Sequence, residues 1–298
     1  MPEGQIRKAI SGFYYVKKDD GETVQCKGRG VFRNRGISPL VGDFVTIVRE
    51  GDNDATITEV HERNNELVRP PISNVDQALL VFSIVEPDFS LHLLDRFLVV
   101  IESVGIQPVI CLTKKDIADE KGLQHAEAAI EYYKGIGYEI VKTFIGDSGL
   151  SSTLKPFLQG KTTVLAGQSG VGKSTLLNTL IPELSLKTGE ISEALGRGKH
   201  TTRHVELIEV EGGLVADTPG FSSLDFDHIE KEELRDYFVD MESVAQDCKF
   251  RGCLHLKEPG CAVKEKVEAG EIISSRYDNY VQFMQEITDR KPRYPKND

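Results

Sequence analysis

A chain of 298 residues with 28% charged and 39% hydrophobic side chains has room for two or three domains and is not a disordered protein. Its net charge of −11 argues against non-specific coating of nucleic acid, while leaving room for a local basic face. No apolar run nears the ~20 residues of a membrane helix, and the N-terminus lacks a signal peptide's apolar core, so a cytoplasmic protein without membrane association is expected.

The first part of the chain reads as short strands near Gln5–Ile10, Gly12–Lys17, Thr23–Lys27, Asp43–Val48 and Ala55–Val60, separated by Gly, Asp and Asn. Strands of this number and length suggest a small closed barrel of the OB type, whose loops often hold oligonucleotides. Between the third and fourth strands, Lys27, Arg29, Arg33 and Arg35 surround Phe32 with no acid among them, a candidate RNA-phosphate loop. Arg69-Pro70-Pro71 then reads as a hinge, because proline cannot continue a ladder and stiffens the residue before it.

Beyond the hinge the texture alternates between strand and helix. Apolar strands at Gln77–Ile84, Gln107–Leu112, Tyr138–Thr143 and Thr162–Ala166 are separated by a helix capped by Ser90 and by helices at Gln124–Ile136 and Leu150–Leu158. That alternation is the mark of an α/β domain whose parallel sheet is wound with crossover helices and gathers ligands at the carboxyl ends of its strands. At one such end, Thr113-Lys114-Lys115-Asp116 matches the Asn/Thr-Lys-x-Asp arrangement of guanine-specific GTPases. Asp116 would accept from guanine N1–H and N2–H₂, a donor pair that adenine lacks.

Gly167-Gln168-Ser169-Gly170-Val171-Gly172-Lys173-Ser174 fits the phosphate-loop pattern, after a β-branched strand and before a helix opening with Thr175. Glycines let backbone N–H groups close around an oxyanion, the helix N-terminus adds partial positive charge, and Lys173 reaches the β- and γ-phosphates. The Ser174 hydroxyl is a Mg²⁺ ligand candidate. Asp217-Thr218-Pro219-Gly220 follows another apolar strand, so the Asp217 carboxylate could hold Mg²⁺ through a water and the Gly220 N–H could face a γ-phosphate. Between these motifs lies a basic, Gly-rich segment, 195–204, in which Thr201 and Thr202 are both candidates to complete the Mg²⁺ shell. Phe221 stands where many GTPases carry a water-orienting glutamine, so another side chain must position the water. His200 and His204 are the candidates.

After Ser222 comes an acidic, helix-prone stretch at Ile229–Phe238, then Cys248, Cys253, His255 and Cys261 in the spacing C-x₄-C-x-H-x₅-C, then a helix at Ser274–Ile287 and a basic tail. Three thiolates and one imidazole form a tetrahedral Zn²⁺ set with no position left for substrate, hence a structural site. Lys249, Arg251, Lys257, Lys264 and Lys266 lie around these ligands as an RNA-facing surface. Cys26 and Cys111 read as packing residues.

The order of the motifs is distinctive. The guanine motif precedes the phosphate loop by about fifty residues, whereas ordinary GTPases place it well after Asp-x-x-Gly. In this the chain resembles, over essentially its whole length, the circularly permuted GTPases that depend on the ribosomal small subunit, the RsgA family. The resemblance implies an OB-fold RNA-binding domain over 1–67, a circularly permuted P-loop GTPase domain over 68–225 and a small helical zinc-binding domain with a C-terminal helix over 226–298. It also implies a monomeric GTP hydrolase, GTP to GDP plus phosphate, acting in late maturation of the 30S subunit and contacting its 16S rRNA through barrel and zinc domain. The family's His-Thr-Thr pattern falls on His200 as the catalytic residue and favours Thr202 for Mg²⁺.

Overall fold

The computed structural model describes residues 3–30, 32, 36–49, 55–68, 70–144, 149–181, 205–217 and 224–290, with the backbone alone at His125 and Asp217. Strands β1 (Glu3–Ile10), β2 (Phe13–Lys18), β3 (Thr23–Gly28), β4 (Phe44–Arg49) and β5 (Ala55–Val60) run in the order β1-β2-β3-β5-β4, and β4 returns to β1 to close a barrel. The expected strands therefore exist, and alternation explains their burial: Val24 and Cys26 point inward on β3 while their neighbours are exposed. Phe32 is also buried, at 5% exposure, so the aromatic of the basic loop anchors that loop in the barrel core and is not free to stack on a base.

The proline hinge is a tight hairpin. β6 (Glu66–Leu67) pairs with β7 (Ile72–Ser73), which puts Pro70 and Pro71 in the connecting turn, where proline's missing N–H and fixed φ cost nothing. The hairpin is fastened to the barrel: the Ser73 hydroxyl donates to Asp43 at 2.6 Å and the Asn74 amide to the Gly42 carbonyl at 3.1 Å.

β8 (Gln77–Ser83), β9 (Gln107–Thr113), β10 (Glu139–Lys142), β11 (Thr162–Ala166) and β13 (Gly213–Asp217) form the parallel part of a sheet ordered β10-β9-β8-β11-β13, and β12 (Val205–Val210) lies antiparallel beside β13. Every residue of β8 and β11 is buried, as expected of strands covered on both faces. The crossovers are α1 (Leu91–Glu102), α2 (Glu120–Gly135) and α3 (Leu150–Leu158); α4 (Lys173–Leu180) follows β11. Ser90 caps α1 by accepting from the Leu93 N–H at 3.3 Å. β12 pairs in turn with β1, through Lys8↔Glu206 and Ala9↔Val205, so barrel and sheet are continuous and share one apolar cluster from Ile6 and Ile57 to Leu80, Phe82 and Leu98.

The C-terminal part holds α5 (Val239–Ala245), α6 (Ala262–Glu268) and α7 (Ser274–Asp289) around its own core of Phe226, Leu234, Phe238, Tyr280 and Phe283. The α-helix expected over Ile229–Phe238 is replaced by turns and a short 3₁₀ segment, Leu234–Tyr237. Ile229, Leu234 and Phe238 are all fully buried, and their spacing drives the chain into tight turns that override its helical propensity. Val99 and Val100 of α1 belong to this core, which thereby packs on the sheet's covering helix.

Candidate functional site

The carboxyl ends of β8, β9, β11 and β13 carry the sequence motifs to one edge of the sheet. The phosphate loop leaves β11 at Gly167, whose φ is +140° and whose added Cβ would lie 2.1 Å from the Val81 carbonyl, so no other residue fits. Gly170 and Gly172 also adopt positive φ, and Gly172 caps α4. Gln168, Ser169 and Gly170 are exposed, as are Ser174 and Thr175 on the first helical turn, whereas Val171 is buried and anchors the loop. The Lys173 ammonium donates to the Gly167 carbonyl at 2.8 Å and to the Gln168 carbonyl, and its partial burial lowers its pKa. It is thereby held over the loop that it would share with a phosphate.

β9 ends on Thr113, which is 5% exposed. Its hydroxyl lies 2.6 Å from the Val171 carbonyl, to which it donates, and 3.2 Å from that of Phe82. The guanine motif is therefore bolted directly to the phosphate loop, and the threonine performs this with one hydroxyl. Lys114 adopts φ +59° and donates to the Glu86 carbonyl. Thr113, Lys114, Thr143, Phe144, Gly172 and Thr175 line one cleft between this strand end and α4. Asp116 is exposed and does not form part of its wall. The Thr143 hydroxyl is buried and has no hydrogen-bond partner among the described residues. Local sequence marks this position only weakly, because Lys142-Thr143-Phe144-Ile145 lacks the Ser/Thr-Ala-Lys pattern that GTPases often carry beside the base.

Asp217 is the last residue of β13, with its backbone opposite Glu206; its carboxylate lies outside the described residues. His200, Thr201, Thr202, His204, Gly220 and Phe221 lie outside them as well, as do Arg33 and Arg35 of the basic loop. Lys27 lies on β3 with its ammonium 5.7 Å from the Phe13 ring, and Arg29 is exposed beyond it.

In the C-terminal part, the candidate ligand atoms of Cys248, Cys253, His255 and Cys261 all lie within 4.8 Å of one another. His255 turns Nδ1 toward Cys261 Sγ at 3.4 Å and Cys248 Sγ at 3.6 Å, while its Nε2 is buried without a partner among the described residues. The loop is pinned from outside: Glu258 accepts from the Leu254 and Leu256 N–H groups at 2.8 and 2.9 Å, and Tyr277 donates to the His255 carbonyl at 2.6 Å. Burial pushes the Cys253 thiol up to about 12 and, with Arg235, holds the His255 pKa below its ordinary value. A neutral imidazole and converging thiols form a donor set that a tetrahedral cation fits. Cys26 and Cys111, by contrast, are isolated and buried, their thiols pushed up to about 11 and about 12.

A buried ionic network that no local sequence pattern announces joins three of the helices. Arg276 of α7 donates to Asp240 of α5 at 2.8 Å and to Asp95 of α1, which also accepts from Tyr133 at 2.6 Å and Asn279 at 2.7 Å. Asp95 within the apolar face of α1 was the available clue.

Comparison with known proteins agrees with this arrangement. A family model described as RsgA GTPase matches residues 60–227, and one described as RsgA N-terminal domain matches residues 3–57. The small ribosomal subunit biogenesis GTPase RsgA of Bacillus subtilis is 58% identical, with 99% of this chain and 100% of that protein covered. Among solved structures, YloQ, described as a circularly permuted GTPase, superposes with a TM-score of 0.86 at 54% identity over 99% of this chain and 97% of its own. YjeQ from Thermotoga maritima gives 0.85 at 37% identity over 97% and 99%. Likeness of this extent, running through barrel, permuted sheet and cysteine cluster alike, leaves one conclusion: the chain belongs to the RsgA family of GTPases.

Proposed function

We propose that the chain hydrolyses GTP on the 30S ribosomal subunit during its late maturation, as a cytoplasmic monomer. The observation that supports this reading is the Thr113–Val171 hydrogen bond at 2.6 Å, which joins the strand end carrying the Thr-Lys-x-Asp motif to the phosphate loop. The relatives' names, small ribosomal subunit biogenesis GTPase, supply the small subunit as partner.

In this reading the backbone of Gly167, Gln168, Ser169, Gly170, Val171 and Gly172 encloses the phosphates and Lys173 exchanges its carbonyl partners for phosphate oxygens. Thr113, Lys114 and Asp116 hold the base, and Thr175 and the Gly220 N–H complete the nucleotide contacts. Ser174, Thr202 and Asp217 would hold Mg²⁺, which when bound supplies positive charge against the phosphate oxygens. His200 aligns the water that attacks the γ-phosphate, a role the Phe221 ring cannot fill. Cys248, Cys253, His255 and Cys261 would hold a structural Zn²⁺, shaping a surface on which Lys249, Arg251 and Lys257 are exposed. That surface and the Lys27, Arg29, Arg33, Arg35 loop contact 16S rRNA through its phosphates.

The test is GTP turnover with 30S subunits, with 50S subunits and alone, for wild type and His200→Ala. Stimulation by 30S only, lost in the variant with GTP binding intact, is expected. Equal stimulation by 50S would overturn the partner; undiminished turnover of the variant would overturn the role of His200.

A further inference from the structure

β1 serves two neighbours in succession. Its early residues pair with β4, at Glu3↔Thr46 through Gln5↔Phe44, and its late ones with β12. Between the two sets lies Arg7, the extra residue of a bulge, because the register against β2 steps from Ile6↔Val16 to Lys8↔Tyr15. A bulge re-aims the side chain of the residue that it adds. Arg7 borders a cleft at the junction of barrel and sheet, together with Lys161, Glu209, Glu211 and the Gly212 turn. Thr162 and Gly213 open β11 and β13, so this cleft lies at the amino ends of the strands, opposite the phosphate loop.

The Arg7 guanidinium is only partly exposed, and its Nε and Nη1 are shielded from solvent without a hydrogen-bond partner among the described residues. Burial lowers its pKa, an effect that the more distant charge of Glu209 only partly offsets. Both carboxylates of the cleft are already engaged, Glu209 by Lys17 at 2.5 Å and Glu211 by Lys155 at 3.5 Å and by Ser151. Lys161 donates to the Gln77 amide oxygen at 3.1 Å and contacts no carboxylate among the described residues. Two cations thus line the cleft, and Arg7 holds two donors just beneath its wall that are unpaired among the described residues, a costly state that an anion drawing the guanidinium into the cleft would relieve.

We propose that this junction cleft binds a phosphate-class oxyanion through Arg7 and Lys161, tying the barrel strand β1 to the start of β11. The phosphoryl group comes either from a free anion or from an RNA backbone, since both offer the same acceptor oxygens.

The experiment is calorimetric titration of the full chain, its nucleotide site saturated with GDP and Mg²⁺, using inorganic phosphate and, separately, a short single-stranded RNA. Wild type is expected to bind phosphate, Arg7→Gln and Lys161→Gln to lose at least tenfold in affinity with GDP affinity unchanged, and Glu209→Gln to bind severalfold tighter, a gain that misfolding cannot mimic. Absence of saturable phosphate binding in wild type, or equal affinity in wild type and Arg7→Gln, overturns the proposal. RNA that competes with phosphate and weakens with Arg7→Gln supports the backbone as source; RNA binding indifferent to Arg7, beside phosphate binding that depends on it, supports the free anion.

Discussion

Asp116 is an exposed carboxylate just beyond the strand that Thr113 fastens to the phosphate loop. Its proposed role as an acceptor for two guanine donors makes a sharp prediction. Asp116→Asn replaces an acceptor by an amide donor, so GTP affinity should fall about 100-fold while xanthosine triphosphate, whose C2 oxygen accepts, gains; competition against a fluorescent GDP measures both. Glu102 gives a second prediction at this scale. Burial raises its pKa to about 7 from an ordinary 4.5, only partly offset by the hydrogen bond from Tyr138. The folded protein therefore holds this proton more tightly than the unfolded chain, and stability should decline as pH rises from about 4.5 to about 7, then level. Glu102→Gln should flatten that slope and stabilise the protein at pH 8 by about 2 kcal/mol, measured by urea unfolding across the pH range. Legibility at this scale follows contiguity. The phosphate loop and the Cys-His cluster are local spacings whose chemistry is written within a few residues, whereas Phe32 read as a loop aromatic because nothing adjacent in sequence reveals the barrel core beneath it.

At the scale of elements, periodicity and flanking turn residues marked the barrel strands, β8, β9, β11 and α1, because each carries its own pattern of burial. Ile229–Phe238 did not follow its propensity, since three of its apolar side chains are claimed by a core made of α5, α7 and the face of α1. The network joining those helices was illegible for a related reason: Arg276 meets Asp95 across 181 positions and Asp240 across 36, and no local pattern records such a meeting. Its consequence is testable. Arg276 is 1% exposed between two carboxylates that are also buried, so Arg276→Met strands two negative charges and should destabilise the protein by about 3–5 kcal/mol, read as a lower urea midpoint. The double variant with Asp95→Asn should recover part of the loss.

Taken whole, the molecule is a barrel and a sheet that share strand pairing and core, with a C-terminal part joined through α1. The nucleotide motifs and the cysteine cluster belong to separate cores. With the proposed Zn²⁺ bound at the cysteine cluster, chelation should therefore loosen the C-terminal part and weaken 30S binding while leaving GDP affinity nearly intact, a difference that parallel sedimentation and fluorescent-nucleotide assays would register. Loss of nucleotide binding on chelation would contradict that separation.

The order of the strands also decides where the polypeptide departs. In chain order β13 is the last strand of the sheet among the described residues, and Asp217 its last residue; the next described residue, Leu224, packs against both the sheet's cluster and the C-terminal core, its carbonyl accepting from Arg96 at 2.7 Å. The peptide steps between them span ~25 Å at most when drawn straight. The segment that begins at the Asp-x-x-Gly motif thus has a bounded reach, with the nucleotide edge at one end and the core of the cysteine-bearing part at the other. A displacement at the nucleotide edge therefore has only a short covalent path to the core that the cysteine-bearing part shares.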